Sequence, residues 1–233
     1  MHELVPEKFV WFVWASAFLV PWMVAFGAFP AHRRVILWAS LFTTPFGLTE
    51  PLFVPEYWNP PSLFDLAQRT GFDIESLIFC FGIGGVGAVS YNILTGKSHG
   101  RMSSMARRLA SHRFHFWAVA TPFLVFPVLY LMEWNPIYPA IVAMALGAVS
   151  TMLCRRDLIS KTWVGGVLFL VYYLVFLAGL EWLSPGYIGK VWNLESLSGI
   201  LIYGMPIEEL LFAVMFGAYW SGVYEHFTWR RVT

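Results

Sequence analysis

The chain has 233 residues, of which 58% are hydrophobic and only 12% are charged, with a formal net charge of +1. A typical soluble domain has about 25% charged residues, so this composition leaves little chain for a soluble domain and predicts an integral membrane protein. The near-neutral charge argues against nucleic-acid binding. Two cysteines, Cys80 and Cys154, are too few for a disulfide framework. The mixed charge of the first nine residues, MHELVPEKF, predicts no cleavable signal peptide.

The apolar segments predict seven transmembrane helices. A spanning helix requires roughly 17–25 mostly apolar residues. In chain order, the predicted spans are residues 9–29, 35–55, 75–94, 115–133, 137–154, 162–182 and 206–227. The expected fold is therefore an all-α membrane protein.

The positive charges predict the orientation of these spans. Every lysine and arginine follows an odd-numbered span, except Lys8, Arg69 and Lys190. By the positive-inside rule, the N-terminus is then outside and the C-terminus is cytoplasmic. All acidic residues except Asp157 and Glu225 belong to the outer half or the outer loops. We expect a multi-pass protein of the inner or plasma membrane.

Two stretches of the sequence match each other, residues 57–94 and 191–227. Both begin with Trp-Asn, continue with Ser-Leu, and reach Ile-Glu at the start of an apolar helix. Glu75 of the first stretch corresponds to Glu208 of the second. This order of shared residues predicts an internal repeat, although any two membrane spans resemble each other to some degree.

The repeat also predicts the division of the chain. Residues 1–97 form a first three-helix unit, residues 98–134 form a basic cytoplasmic loop and a linker helix, and residues 135–233 form a second three-helix unit. Four spans separate matching helices, so the two units point the same way across the membrane. This is a parallel repeat, an arrangement known from membrane transporters.

Acidic residues gather at one predicted depth, near the outer membrane boundary. They are Glu50, Glu75, Glu133, Glu181, Glu208 and Glu209. The pseudo-twofold symmetry of the repeat predicts that Glu75 and Glu208 face each other across a central cavity. Ionisable residues inside a membrane are costly and usually functional, whereas acids in the first turn of a helix also stabilise its dipole and can simply face water.

Aromatic residues follow these acids at helical spacing. They are expected to bind a substrate together with Glu133, and they are Phe79 in the third span and Phe212, Phe216, Tyr219 and Trp220 in the seventh. Aromatic faces stabilise cations. The alternative is that this stripe serves helix packing or faces lipid.

Two other patterns predict no site. The segment GIGGVG at residues 82–87 satisfies GxGxxG, but it lies within a predicted span with no strand before it, so it indicates close helix packing. The histidines have no HxxH or HExxH spacing. We therefore expect no metal site.

The motif Pro206-Ile207-Glu208-Glu209, with its partner at residues 73–76, resembles the lycopene cyclase domain family of integral-membrane enzymes. The family occurs as two short subunits or as their fusion, and its hallmark is Pro-x-Glu-Glu/Asp at the start of a helix. The resemblance covers nearly the whole chain as the fused form. The first copy, Asp73-Ile74-Glu75-Ser76, lacks the proline and the second acid, so the two halves are expected to have unequal roles.

The resemblance implies an isomerase that cyclises the ψ end group of lycopene to a β-type ring without redox chemistry. Glu208 would be the general acid, with Glu209 as the neighbour that keeps it protonated or as the base. Glu75 would be the partner from the other half, and Glu50 and Glu181 complete the expected catalytic set. No cofactor and no metal are expected. The expected partners are lycopene or a related carotene from the bilayer, membrane lipid, and a second copy or other carotenoid enzymes.

Two further interpretations stay open at this point. The repeat and the outer acids also suit a proton- or cation-coupled transporter, although the cytoplasmic half of the spans has almost no ionisable groups for an exit path. The chain could also be a non-catalytic carotenoid- or lipid-binding membrane protein.

Overall fold

The computed structural model describes residues 5–233. The first four residues of MHELVPEKF, the segment that predicts no cleavable signal peptide, lie outside the described residues. The described chain is mostly helical. Its helices are α1 (Glu7–Ala17), α2 (Leu19–Ala28), α3 (Arg33–Thr43), α4 (Leu66–Thr70), α5 (Ile74–Thr95), α6 (Ser104–Arg107), α7 (His115–Tyr130), α8 (Ile137–Cys154), α9 (Ile159–Leu183), α10 (Tyr187–Val191), α11 (Ile207–Trp220) and α12 (Val223–Thr228). Sheet structure is limited to short strands, which the sequence did not predict: β1 (His99–Arg101), β2 (Leu201–Ile202), β3 (Met205–Pro206) and β4 (Arg230–Val232). Strand β1 pairs antiparallel with β4, and β2 pairs antiparallel with β3.

Four helical segments of the described chain are long and apolar enough to cross a membrane. They are Glu7–Ala28, Ile74–Thr95, Ile137–Cys154 and Arg156–Leu183. A bilayer core of about 30 Å requires helices of this length. The structure therefore indicates a membrane protein, as the composition predicts.

The remaining predicted spans fall on shorter or interrupted helices. Helix α3 ends at Thr43 and continues as the 3-10 segment Thr44–Leu52, which contains Pro51. Helix α7 has 16 residues and contains Pro122 and Pro127. Proline lacks the amide hydrogen that an α-helix needs, so Pro51 accompanies the 3-10 geometry, and Pro122 and Pro127 each remove a backbone hydrogen bond from α7.

The glycine-rich segment of α5 lies against neighbouring helices. A Cβ atom on Gly84 would overlap the Thr43 hydroxyl of α3, and one on Gly82 would lie 3.1 Å from Phe18 Cβ. Side chains larger than hydrogen would therefore force the helices apart. This packing agrees with the close helix approach predicted for GIGGVG.

Charged side chains are buried together where β1, α9 and α12 meet. Glu225 Oε1 accepts hydrogen bonds from Lys161 Nζ at 2.5 Å and from His99 Nε2 at 2.9 Å. The Lys161 and Glu225 side chains are 1% and 0% exposed. Because both charges have left water, each depends on the other for stabilisation.

We expect Glu225→Gln to reduce the free energy of unfolding by about 3–5 kcal/mol, because it leaves Lys161 buried without a counter-charge. Thermal denaturation of the purified protein in detergent measures this loss. The control is Glu7→Gln, which breaks the half-exposed pair of Glu7 with Lys190, 3.6 Å apart, and should cost about 0–1 kcal/mol. Equal losses in the two variants would contradict the prediction.

Candidate active site

A cavity of about 700 Å³ lies between the long helices. This volume is within the usual range of about 300–1,000 Å³ for ligand pockets. Of its 35 lining residues, 17 are aromatic, so its wall consists largely of π faces and aliphatic side chains. Within residues 5–233, the acidic side chains that line it are Glu50 and Glu209.

Glu209 is held at the wall of this cavity by three hydrogen-bond donors. The side chain is 4% exposed. Its Oε1 accepts hydrogen bonds from the Tyr57 hydroxyl and from Trp192 Nε1, the latter at 2.6 Å. Its Oε2 accepts a hydrogen bond from the Tyr173 hydroxyl at 2.7 Å. Three donors around one buried carboxylate stabilise its ionised form.

The two Trp-Asn segments bring these donors to Glu209. Trp58 and Trp192 form an antiparallel bridge. Asn59 N donates to Val191 O at 2.9 Å, and Asn193 N donates to Tyr57 O at 2.9 Å. This reciprocal pairing fixes the backbone of Tyr57 and Trp192, so their side chains meet at the start of α11.

Tyr57 lies just beyond the second predicted span and is 6% exposed. Burial raises the pKa of its phenol well above the ordinary value, and the nearby Glu209 carboxylate raises it further. The phenol therefore stays protonated near neutral pH and remains a donor to Glu209.

Glu50 reaches the same cavity from the 3-10 segment that follows α3. It is 7% exposed, and its Oε2 accepts a hydrogen bond from the Ser76 hydroxyl at 2.9 Å. The amide of Ser76 donates to Asp73 Oδ1 at 2.5 Å, which caps α5 and fixes the position of the serine. Among the described residues, Glu50 Oε1 is buried and has no hydrogen-bond partner.

Glu208 and Glu75 do not line the cavity, contrary to their expected position on opposite sides of it. Glu208 Oε1 accepts hydrogen bonds from the Tyr138 hydroxyl at 2.8 Å and from Ser198 N at 2.9 Å. Glu75 Oε1 accepts one from Leu63 N at 2.7 Å. Each therefore anchors the loop before its own helix. Successive side chains on a helix point about 100° apart, so Glu209 faces the cavity when Glu208 faces the loop.

The other two predicted acids also lie away from the cavity lining. Glu181 is half-buried and accepts hydrogen bonds from the amides of Gly186 and Ile188, the second at 3.4 Å. Glu133 is exposed. It lines a second cavity of about 550 Å³, together with Trp134 and Asn135. The sequence pattern placed all these acids at one depth but could not say which way each side chain points.

The predicted aromatic residues do line the cavity that contains Glu50 and Glu209. They are Phe79, Phe212, Phe216, Tyr219 and Trp220. The Tyr219 hydroxyl donates to Val119 O at 2.6 Å, and Trp220 Nε1 donates to Gly84 O at 3.0 Å. The polar atoms of Tyr219 and Trp220 thus form hydrogen bonds with the backbone of neighbouring helices.

Sequence reasoning missed Tyr57, Tyr173 and Trp192 as partners of Glu209. Trp192 belongs to the repeated Trp-Asn motif, and this repetition is the signal that could have identified it. Tyr173 carries no comparable signal, because tyrosine within an apolar helix is common.

Neither the curated proteins nor the solved structures give a match to the chain. The family model described as lycopene cyclase matches residues 135–227. This segment includes Tyr173, Trp192 and Glu209, whereas Glu50 and Tyr57 precede it. The match confirms over residues 135–227 the resemblance carried by Pro206-Ile207-Glu208-Glu209.

Proposed function

We propose that the protein is an integral-membrane lycopene cyclase, which closes the ψ end group of lycopene into a β-type ring by acid catalysis. One observation carries the proposal: two buried carboxylates, Glu50 and Glu209, line a largely aromatic cavity. The family match over residues 135–227 supplies the substrate class.

Glu50 is the proton donor in this proposal, in place of Glu208. Glu50 lines the cavity, and its Oε1 has no hydrogen-bond partner among the described residues, so no protein acceptor competes for a proton on this oxygen. The O–H bond breaks as a C–H bond forms at the terminal double bond, which leaves a tertiary carbocation. The internal double bond then attacks this cation and closes the six-membered ring.

Glu209 is the base in this proposal. The hydrogen bonds from Tyr57, Tyr173 and Trp192 favour its carboxylate form. The carboxylate takes a proton from the carbon beside the ring cation, and the electrons of that C–H bond form the ring double bond. Atoms and electrons balance as an isomerisation. The proton moves from Glu209 back to Glu50 through exchange with solvent before the next turnover.

The wall of the cavity protects the cation between these two proton transfers. Each aromatic face attracts a cation by about 0.5–2 kcal/mol. The five aromatic residues that the sequence predicts to bind substrate all line the cavity. A dry site also prevents water from adding to the cation. Glu75, Glu181 and Glu208 act as positioning residues, since each accepts backbone hydrogen bonds outside the cavity.

The proposal includes the seven-span parallel repeat in the cell membrane, with the N-terminus outside. The reciprocal hydrogen bonds between the Trp58-Asn59 and Trp192-Asn193 segments support the repeat, and so does the matching loop contact of Glu75 and Glu208. A hydrocarbon substrate partitions into the bilayer, which fits a cavity built between membrane helices. Lipid and a second copy or other carotenoid enzymes are the expected neighbours.

Pigment analysis tests the proposed function. The chain is expressed in cells that accumulate lycopene, and the extracted carotenes are separated by chromatography. We expect monocyclic or bicyclic β-ring carotenes. Unchanged lycopene that co-purifies with the protein would instead support a binding protein, and unchanged lycopene without co-purification would support a transporter. Either result would overturn the cyclase proposal.

We expect Tyr57→Phe to reduce cyclisation by about 10- to 100-fold, because a hydrogen bond to a charged group contributes about 1.5–3 kcal/mol. The initial rate of β-ring formation in membranes measures this effect. The matched control is Tyr172→Phe. The Tyr172 hydroxyl is buried and has no partner within residues 5–233, so its removal should leave the rate nearly unchanged. Equal rates in the two variants would show that Tyr57 does not act through Glu209.

A further inference from the structure

Three metal-ligating side chains meet away from the cavity. His115 begins α7, Cys154 ends α8 and His226 lies in α12. Their ligand atoms all lie within 4.8 Å of one another. Helix α8 begins at Ile137, which lines the cavity, and ends 17 residues later at Cys154. Met144 is the α8 residue nearest Cys154 in the cavity lining. It lies ten residues before Cys154, so at 1.5 Å per residue the cluster is about 15 Å farther along this helix.

The hydrogen bonds of the two histidines define which ring nitrogens are free. His226 Nδ1 lies 2.9 Å from Gly222 O, so this nitrogen carries the proton and donates. His226 Nε2 then has a lone pair. It is buried, in a residue that is 1% exposed, and has no partner in the part of the chain that the structure describes. A buried acceptor without a partner is unfavourable unless something binds it.

His115 has the complementary arrangement. Its Nε2 lies 3.0 Å from His226 O and donates to it, which leaves a lone pair on Nδ1. This Nδ1 lies 3.2 Å from Cys154 Sγ. Histidines that bind metals typically donate their other N–H to a backbone carbonyl or a carboxylate, which fixes the tautomer and the ring orientation. Both His115 and His226 make this contact.

The surroundings hold the cluster rigidly. The His115 ring stacks on Trp229 at 3.9 Å and on His226 at 5.2 Å between centroids. Arg155, the residue after Cys154, is fully buried and donates to Asp157 Oδ2 at 2.7 Å and to Arg230 O at 2.8 Å. The bond to Arg230 O ties the end of α8 to β4, which follows α12.

We propose that His115, Cys154 and His226 bind one borderline-soft transition-metal ion, for which Zn²⁺ is the representative. Two imidazoles and a thiolate suit Zn²⁺, whereas Mg²⁺ and Ca²⁺ require oxygen ligands. Zn–N and Zn–S bonds of about 2.0–2.3 Å need ligand atoms about 3–4 Å apart, so side-chain shifts of about 1 Å complete the site. Binding releases the thiol proton to solvent. The ion cross-links α7, α8 and α12, and the proposal does not depend on the cyclase activity.

The experiment uses the full chain in detergent, with the affinity tag removed and metal stripped by a chelator. The protein carries the substitution Cys80→Ser, which leaves Cys154 as its sole cysteine. We expect one equivalent of Zn²⁺ to bind and to slow alkylation of Cys154 by N-ethylmaleimide at least about tenfold. Co²⁺ should produce a thiolate-to-metal charge-transfer band in the near ultraviolet.

Variants identify the ligands. In the Cys80→Ser background, Cys154→Ser should abolish the Co²⁺ band, and His226→Ala should weaken Zn²⁺ binding by at least about tenfold. The control is His32→Ala. His32 is a buried histidine that is not one of the three proposed ligands, so this variant should bind Zn²⁺ normally. Absence of the Co²⁺ band, absence of alkylation protection, or unchanged binding in His226→Ala would overturn the proposal. The Co²⁺ band and the alkylation protection of the Cys80→Ser protein test the metal site even if His226→Ala does not fold.

Discussion

Replacement of Glu209 by glutamine is expected to reduce the rate of β-ring formation by about 10²- to 10⁴-fold, the usual contribution of a general acid or base. A neutral amide cannot take a proton from the ring cation. Its NH₂ group would also meet the donors Tyr57, Tyr173 and Trp192, which now bond a carboxylate. The rate is measured in isolated membranes that contain lycopene.

The adjacent residue provides the matched control. Glu208→Gln keeps an oxygen that can accept from the Tyr138 hydroxyl and Ser198 N, and it does not alter the cavity lining. We expect its rate to stay within about tenfold of the unmodified protein, the effect of 1.4 kcal/mol. The opposite order, with Glu208→Gln inactive and Glu209→Gln active, would return the catalytic role to the residue that the sequence pattern favoured.

Replacement of Glu50 by glutamine is the second large effect that we expect, again about 10²- to 10⁴-fold in the rate of ring formation. Glutamine can still accept a hydrogen bond from the Ser76 hydroxyl, so the local structure should persist. It cannot deliver an acidic proton to the alkene. Lycopene that co-purifies unchanged with this variant would demonstrate that the cavity still binds substrate.

The control for Glu50 is Glu181, its counterpart in the predicted repeat. Glu181→Gln keeps an acceptor for one of the two amides, of Gly186 or of Ile188. It lies outside the cavity lining, so it should remain active. Reaction in D₂O gives an independent measurement, because protonation by Glu50 incorporates one deuterium in each ring. Normal ring formation by Glu50→Gln would refute its role as the acid.

The two halves are expected to contribute unequally to this chemistry. In the predicted repeat, Glu209 of the second half corresponds to Ser76 of the first, and Ser76 donates to Glu50. Glu181, the counterpart of Glu50, bonds to backbone amides instead. The cavity that contains Glu50 and Glu209 therefore takes one carboxylate from each predicted half, and the two carboxylates come from non-equivalent positions. This asymmetry suits a reaction that needs both an acid and a base.

The sequence by itself determined that the protein is a helical membrane protein. Composition and the length of apolar runs depend on local properties, so the four helices long enough to cross a membrane were predictable. The motif Pro206-Ile207-Glu208-Glu209 also pointed to the family that matches residues 135–227.

Only the tertiary structure decided which acid faces the cavity. Glu208 and Glu209 are adjacent, so their orientation depends on whether α11 turns one or the other toward the loop before it. The donors to Glu209 come from Tyr57 and Trp192, which are 152 and 17 residues away along the chain. The cluster of His115, Cys154 and His226 likewise joins three separate helices. Such contacts leave no periodic pattern in the sequence, because they arise only when distant segments pack together.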